Sequence, residues 1–407
     1  MDDARLINEP IAETDLKTRP LLMSDSSSEN ATGSDSPPVE RSAWQFSLRT
    51  LFIALTIAAI AVGWFLNGPE RQRRAAEGVR EAGGVVQYEG SPPSESPRGW
   101  IPLDYYRSAV AVRLERCQEA DRALAHVGDL FSVKQVDIQH CQVTKEGIAQ
   151  LSTMRSLTTL SLAGSNIDDE CLTTLQNCRG LESLALTETS ATSQGVGNFA
   201  DLPNLYDLRI FNPQRPLVDL HTLPRLPRLR ELLLANQGGE TKFDAASVSD
   251  CKELTKVALW NVSIDDTGLE QLAKLPRLEN LAIITGRVSD RGMIAIGKMA
   301  NLESLTLKWL SVRPESLVHL AGLKKLRYLT LGTTPVRDAD VSHLQRLPAL
   351  EVLRLNLSGS SLTDEGLDEL LKIPTLRTLD IANSGISKDK LQRASKILDA
   401  RPAVPAP

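Results

Sequence analysis

Residues 254–275 read LTKVALWNVSIDDTGLEQLAKL, and residues 278–301, LENLAIITGRVSDRGMIAIGKMAN, restate the same pattern. In both, apolar residues hold the first, fourth and sixth places (Leu254, Val257, Leu259; Leu278, Leu281, Ile283) and an aliphatic residue the eleventh (Ile264; Val288). Side chains alternate across a strand, so the fourth and sixth point one way and the third and fifth the other. Working outward, the frame recurs from Val133, Leu157, Leu181, Leu205, Leu229, Leu254, Leu278, Leu302, Leu326, Leu350 and Leu376, spaced 24 residues apart except for one spacing of 25 and one of 26. A unit this short cannot bury its own apolar face, so neighbours must stack as a parallel sheet.

The second half of each unit reads as a helix. A capping residue followed by Asp opens it in Asp168-Asp169, Asp265-Asp266, Ser289-Asp290 and Thr363-Asp364, where side-chain oxygens accept from orphan amides and negative charge meets the positive helix end. Leu172/Leu175, Leu269/Leu272, Met293/Ile296 and Leu367/Leu370 supply its inward face. Cys178 and Cys251 fall at the last core place of their units, and Cys171 where other units carry Gly147, Gly195, Gly268 or Gly292. All three read as small core residues. The five cysteines form no close pairs, which argues against a disulfide framework. The units from Leu205 and Leu229 are irregular: Pro213, Pro216, Pro224 and Pro227 and a Gly238-Gly239 loop predict extended or short turn structure in place of a helix.

With these phrases, above all "LTTLSLAGSNIDDECLTTLQNC" and "LTKVALWNVSIDDTGLEQLAKL", the chain resembles the leucine-rich-repeat family in its cysteine-containing, bacterial-type form. The likeness covers residues 133–399, about 11 repeats. It implies an α/β leucine-rich-repeat solenoid with a concave parallel sheet and a helical convex side. The ninth position, often Asn or Cys in the family, here holds Cys141, Ser165, Thr189, Pro213, Gln237, Val262, Gly286, Leu310, Thr334, Ser358 and Ser384, so no Asn ladder runs through the array. The repeats are also similar to those of F-box-associated proteins, although no F-box precedes them. With WQFSLRTL at residues 44–51 leading into an apolar run and RQRR at residues 71–74 following it, the whole layout resembles single-anchor membrane repeat proteins of planctomycete-type bacteria, a family that implies membrane attachment without a defined ligand.

Ahead of the array the composition changes. Residues 1–43 are acidic and Ser/Pro-rich, with almost no apolar side chains between Ser24 and Pro38, and are expected to be a disordered tail. Residues 44–66, WQFSLRTLFIALTIAAIAVGWFL, follow; Thr50–Leu66 is free of charge and spans about 25 Å as a helix, near the lower limit for a bilayer. One transmembrane anchor, Trp44–Leu66, is expected, uncleaved because no small-residue cleavage site follows it. Arg71, Arg73, Arg74 and Arg80 after the span outnumber Arg41 and Arg49 before it, a weak lean toward a cytoplasmic C-terminal region that leaves the side of the repeats open. Residues 67–132 are expected to hold a helix ended by Gly83-Gly84, a short strand at Val85–Tyr88, and an irregular, partly helical N-terminal cap; residues 400–407 are expected to be a second disordered tail.

The outward residues of the strands mark the binding face that solenoids commonly use. Arg209, Phe211, Leu233, Lys256, Trp260, Ile284, Lys308 and Trp309 are the candidate partner-binding residues. Phe211, Leu233, Trp260 and Ile284 are expected to form an apolar stripe at one position of successive repeats, rimmed by Arg209, Lys256 and Lys308. Aromatic and Arg members on such a face are typical of binding hot spots. Burial of these residues under a flanking loop, or as core, is the competing reading.

Nothing in the chain reads as an active site. No nucleophile motif or phosphate-cradling Gly loop occurs, the acidic pairs are accounted for by capping, and His319 and His343, 24 residues apart, lack a third metal ligand. A net charge of −5 gives no reason to expect nucleic acid. The expectation is a membrane-anchored, non-catalytic scaffold, without cofactor or metal, for a protein or peptide partner. The alternative is an adaptor resembling F-box-type proteins; hydrolase activity in residues 83–130 is disfavoured because about fifty residues rarely form a catalytic core.

Overall fold

The computed structural model describes residues 48–89, 108–164, 166–212, 226–236, 241–286, 288–310, 312–356, 362–382, 384 and 386–401. The expected tail 1–43, the start of the anchor to residue 47, the proline-rich stretch 213–225, the Gly238-Gly239 loop and residues 402–407 lie outside them. The chain divides into two units, 1–59 and 60–407.

Helix α1 runs unbroken over Leu48–Glu81, so the expected boundary at Leu66 is not a helix end. Among the described residues no helix is long and apolar enough to cross a membrane; the side chains of 59–67, the second half of the uncharged run, lie outside the described residues. In the second unit the helix ends where Gly83 takes a φ of +91°, and Gly83 and Gly84 amides close it onto the Arg80 and Val79 carbonyls. Ala75, Ala76 and Val79 are buried, and Gly78 leaves room for the His126 ring.

Thirteen strands then form one sheet in which each strand pairs with the next of the series in the chain. The first, Val85–Tyr88, is antiparallel to Ala109–Glu115; every later pairing is parallel and in register, so that Gln135 faces Thr159, Ser183, Asp207 and Glu231 in turn. Parallel strands in register place like positions in rows, and the inward rows (Val136, Leu160, Leu184, Leu208, Leu232, Val257, Leu281 and their partners two residues on) are buried as far as Leu353 and Leu355, while Leu379 and Ile381 in the last strand are half-buried. Burying one such side chain stabilises by about 1.5–3 kcal/mol, and the first- and eleventh-place residues and the inward helical residues of each repeat add to the same interior.

The array begins one repeat earlier than expected. Ala109, Val112 and Leu114 occupy the first, fourth and sixth places of a unit 24 residues ahead of Val133, and Ala120–Val127 is its helix. The segment reads as irregular because Ala holds its first place and the polar Glu119 its eleventh. Next along, Cys117 and Cys141 stack at the ninth position, and the Cys117 amide donates to the Cys141 sulfur at 3.3 Å.

Two backbone devices recur. At the eighth position the strand turns with positive φ: Arg116, His140, Glu188, Asn261, Thr285, Trp309 and Thr333, together with Gly164 at the same place, are the left-handed residues there, and no other non-glycine among the described residues is left-handed. Each such residue carries roughly 1–2 kcal/mol of strain. The turn aims its amide sideways at the next repeat, as in His140 N–H to Ala163 O at 2.6 Å and Glu188 N–H to Phe211 O at 2.7 Å.

On the helical side, the expected caps form: Asp168, Asp265, Ser289 and Thr363 accept from amides of their own helices. The Asp that follows has a second role, clamping the next repeat. Asp169 accepts from the Thr192 amide at 2.7 Å, the Thr192 hydroxyl at 2.6 Å and the Gly195 amide at 3.1 Å. Asp121 accepts from the Thr144 amide at 3.0 Å, Asp266 from the Ser289 hydroxyl at 2.6 Å, and Asp338 from the amide and hydroxyl of Thr363. Opposite each of these carboxylates the next helix carries glycine, because a Cβ at Gly147, Gly195 or Gly366 would lie 2.0–2.3 Å from the Asp oxygen. Cys171 fits the glycine place because the preceding repeat has Lys145 instead of Asp. The irregular repeat from Leu229 has a short 3-10 turn, Ala245–Val248, where most others have an α-helix; the repeat from Leu302 likewise carries a 3-10 segment, Pro314–Gly322.

Candidate functional site

The open face of the sheet is built from the third, fifth and seventh positions. Its seventh row reads Gln139, Ala163, Thr187, Phe211, Ala235, Trp260, Ile284 and Lys308. The expected stripe is therefore corrected at one place. Leu233 belongs to the fifth row, between Arg209 and Ala258, and the residue between Phe211 and Trp260 is the buried Ala235. Leu233 still faces outward and is half-buried, so it thickens the patch from the side.

Exposure varies along the row, lowest at Ala235 and highest at Trp260 and Lys308. Phe211 and Ile284 are half-buried, Trp260 is 47% exposed, and beyond Lys308 the next residue, Trp309, is 62% exposed. Tyr328, on the third row of the following strand, is 42% exposed. Neither of the competing readings holds for Trp260 and Trp309: both meet solvent. Trp309 owes its display to the left-handed turn at φ +52°, which removes it from the alternation of the strand.

The polar frame around this patch is not what a list of basic residues implies. Arg209 donates to Asp207 at 3.0 Å and lies 3.9 Å from Glu231, and Lys256 reaches the same Glu231 at 3.1 Å. Asp207, buried and also accepting from the Ser183 hydroxyl, holds the Arg209 guanidinium above its ordinary pKa. Arg209, Lys256, Asp207 and Glu231 thus form a self-neutralised chain. Toward the N-terminal end Arg113 pairs with the buried Asp137 at 3.2 Å. Among the described residues, Lys308 on this face has no ion-pair partner, nor does Arg354 two strands on. Cross-strand register decides these pairings, and in a single repeat nothing signals them.

A cleft of about 260 Å³ opens beside Trp309, lined by Lys308, Thr330, Gly332, Arg354, Asn356 and Asp380 among others. Another, of about 620 Å³, lies at the strand-entry edge, where Arg277 and Arg230 are paired with Glu253 at 2.7 and 3.8 Å. Among the described residues no group of three or more His, Cys, Asp or Glu could hold a metal. Burial pushes the thiols of Cys171, Cys178 and Cys251 up to about 11, which keeps them protonated and inert.

Stacked strand–turn–helix units with an in-register sheet and an aliphatic interior define a leucine-rich-repeat solenoid. A family model described as "Leucine-rich repeat region" matches residues 94–365, and the chain belongs to that family. Among solved structures it is similar to an internalin from Listeria monocytogenes, at 17% identity and a TM-score of 0.55, over 80% of this chain and 93% of that one; at this identity the likeness speaks for the fold. No curated protein matches the chain.

Proposed function

We propose that this chain is a membrane-anchored, non-catalytic scaffold that recognises a protein or peptide through the open face of its repeat sheet, with Phe211, Leu233, Trp260, Ile284, Lys308 and Trp309 in contact with the partner. The observation that carries this reading is the exposure of Trp260 and Trp309 on a face whose third and fifth rows are mostly small, polar or ion-paired side chains, with Leu233 and Tyr328 adding apolar surface. An indole left in water on a rigid sheet is a preorganised anchor, since little side-chain freedom remains to be lost on binding. Arg209 and Lys256 act from within their own ion pairs, fixing the shape of the rim. The uncharged run Thr50–Leu66, inside helix α1, supports the anchor.

The test is photocrosslinking in cells. With benzoylphenylalanine in place of Trp260 or Ile284, a discrete adduct is expected; at Ile294, 40% exposed on the helical side, none is. Equal adducts at both faces, or none on the sheet, would refute the reading. Deleting residues 50–66 is expected to release the protein from the membrane fraction; retention there would refute the anchor. Protease digestion of a C-terminal tag in cells with a permeabilised outer envelope places the repeats on one side or the other.

A further inference from the structure

The charge pairing on the sheet face separates its cations into two kinds. Arg209 and Lys256 are satisfied by Asp207 and Glu231, and their positive charge is spent inside the protein. Lys308 and Arg354 are exposed, have no ion-pair partner among the described residues, and line the same cleft. Gly332 stands between their strands, where the lack of a side chain opens the floor: a Cβ there would lie 3.1–3.3 Å from the Cγ, Cβ and Cα of Lys308. Trp309 forms an apolar wall, and Thr330 and Asn356 add polar lining.

We propose that this hollow receives an acidic side chain of the partner, so that the chain recognises a peptide segment pairing an aromatic or aliphatic residue with a neighbouring Asp or Glu. This rests on the sheet-face reading above and names the partner's chemistry. The carboxylate lies between Lys308 and Arg354, and the apolar neighbour packs on Trp309 and Trp260. Asp380 lines the same cleft, so two cations face one carboxylate. A single negative charge is accommodated, and the one surplus cation falls far short of the basic stripe that a dense polyanion needs, which sets the hollow apart from a nucleic-acid groove. The remaining acceptor, Asp380, suits a backbone N–H of the incoming segment.

The experiment is selection of a random displayed peptide library on the full-length protein in lipid nanodiscs. Wild-type bait is expected to enrich peptides with Asp or Glu beside an aromatic or aliphatic residue. A Lys308→Glu/Arg354→Glu bait is expected to shift enrichment to Lys or Arg, and Lys308→Met/Arg354→Met to abolish the charge preference; Lys298→Gln, at an exposed cation on the helical side, is expected to change neither. A synthetic peptide from the wild-type selection should bind at least about tenfold more weakly to the charge-reversed protein, and less tightly as salt rises. If captured peptides depend on Trp260 and Trp309 but show no acidic preference, or keep it on the reversed bait, the hollow is wrong and the sheet-face reading stands. If Trp260→Ala/Trp309→Ala captures the same peptides as wild type, the sheet-face reading falls and the hollow with it.

Discussion

The inter-repeat clamp predicts a change of sign in the effect of one substitution. A Cβ at Gly147 would lie 2.0 Å from Oδ1 and 2.8 Å from Cγ of Asp121, and 3.2 Å from Val143, so Gly147→Ala must push the carboxylate off the Thr144 amide that it holds at 3.0 Å. Loss of a charged cap contact costs about 0.5–2 kcal/mol and crowding adds to it, while Ala in place of Gly in a helix returns about 0.5–1 kcal/mol. The net expectation is destabilisation by about 1 kcal/mol. In an Asp121→Ala background the carboxylate is gone and only the Val143 methyl, at 3.2 Å, has to give, so the same Gly147→Ala is expected to stabilise by up to about 0.5–1 kcal/mol. The assay is a double-mutant cycle on the purified full chain, read by hydrogen exchange in peptides spanning 144–154, because repeat arrays unfold in parts and a global midpoint averages over them. Additivity of the two substitutions within about 0.5 kcal/mol would refute the clamp.

Leu259→Ala is expected to cost about 2–5 kcal/mol and Trp260→Ala to stay within about 0.5 kcal/mol, checked by chemical denaturation; comparable losses would mean that Trp260 is core. Arg401 donates to the carbonyls of Ile373 at 2.6 Å, Leu376 at 2.8 Å and Leu371, groups a further repeat would otherwise cover. Arg401→Ala is therefore expected to raise hydrogen exchange in residues 366–382 while leaving 133–200 unchanged. The thiols of Cys171, Cys178 and Cys251 have folded pKa values raised to about 11 from an ordinary value near 9, so the folded state holds protons that the unfolded state releases. Their contribution is complete below pH 9 and is lost between about 9 and 11, and a Cys171→Ser/Cys178→Ala/Cys251→Ala protein should show a shallower decline of stability over that window.

The repeat frame was legible because one inward row repeats it many times, so that a single departure such as Cys178 does not hide it. The first repeat was not legible, since Ala109 and Glu119 stand where the frame wants aliphatics and only the neighbouring strand's pairing restores the register. At the site, outward residues could be found by counting, although third, fifth and seventh positions share one face and Leu233 was placed in the row of Ala235. Which cations were free could not be read at all: Glu231 is 25 residues from Lys256, and only the stacking of strands brings them together. The clamp left a trace that one sequence can carry: Gly147, Gly195, Gly292 and Gly366 each face an Asp of the repeat before, whereas Cys171 follows Lys145.

The column of left-handed turns has a bearing on how such a surface changes over time. Arg, His, Glu, Asn, Thr and Trp all occupy it, so the turn is imposed by the lateral amide bond and not by the side chain that happens to sit there. Its strain is already part of the array wherever a side chain stands there, and it is relieved where glycine does, as at Gly164. The eighth position is thus a row of interchangeable sockets along one rim of the sheet. Mutation can draw there on most of the amino-acid alphabet without disturbing the interior, and Trp309 is one filling of such a socket, exchangeable for another when the partner changes.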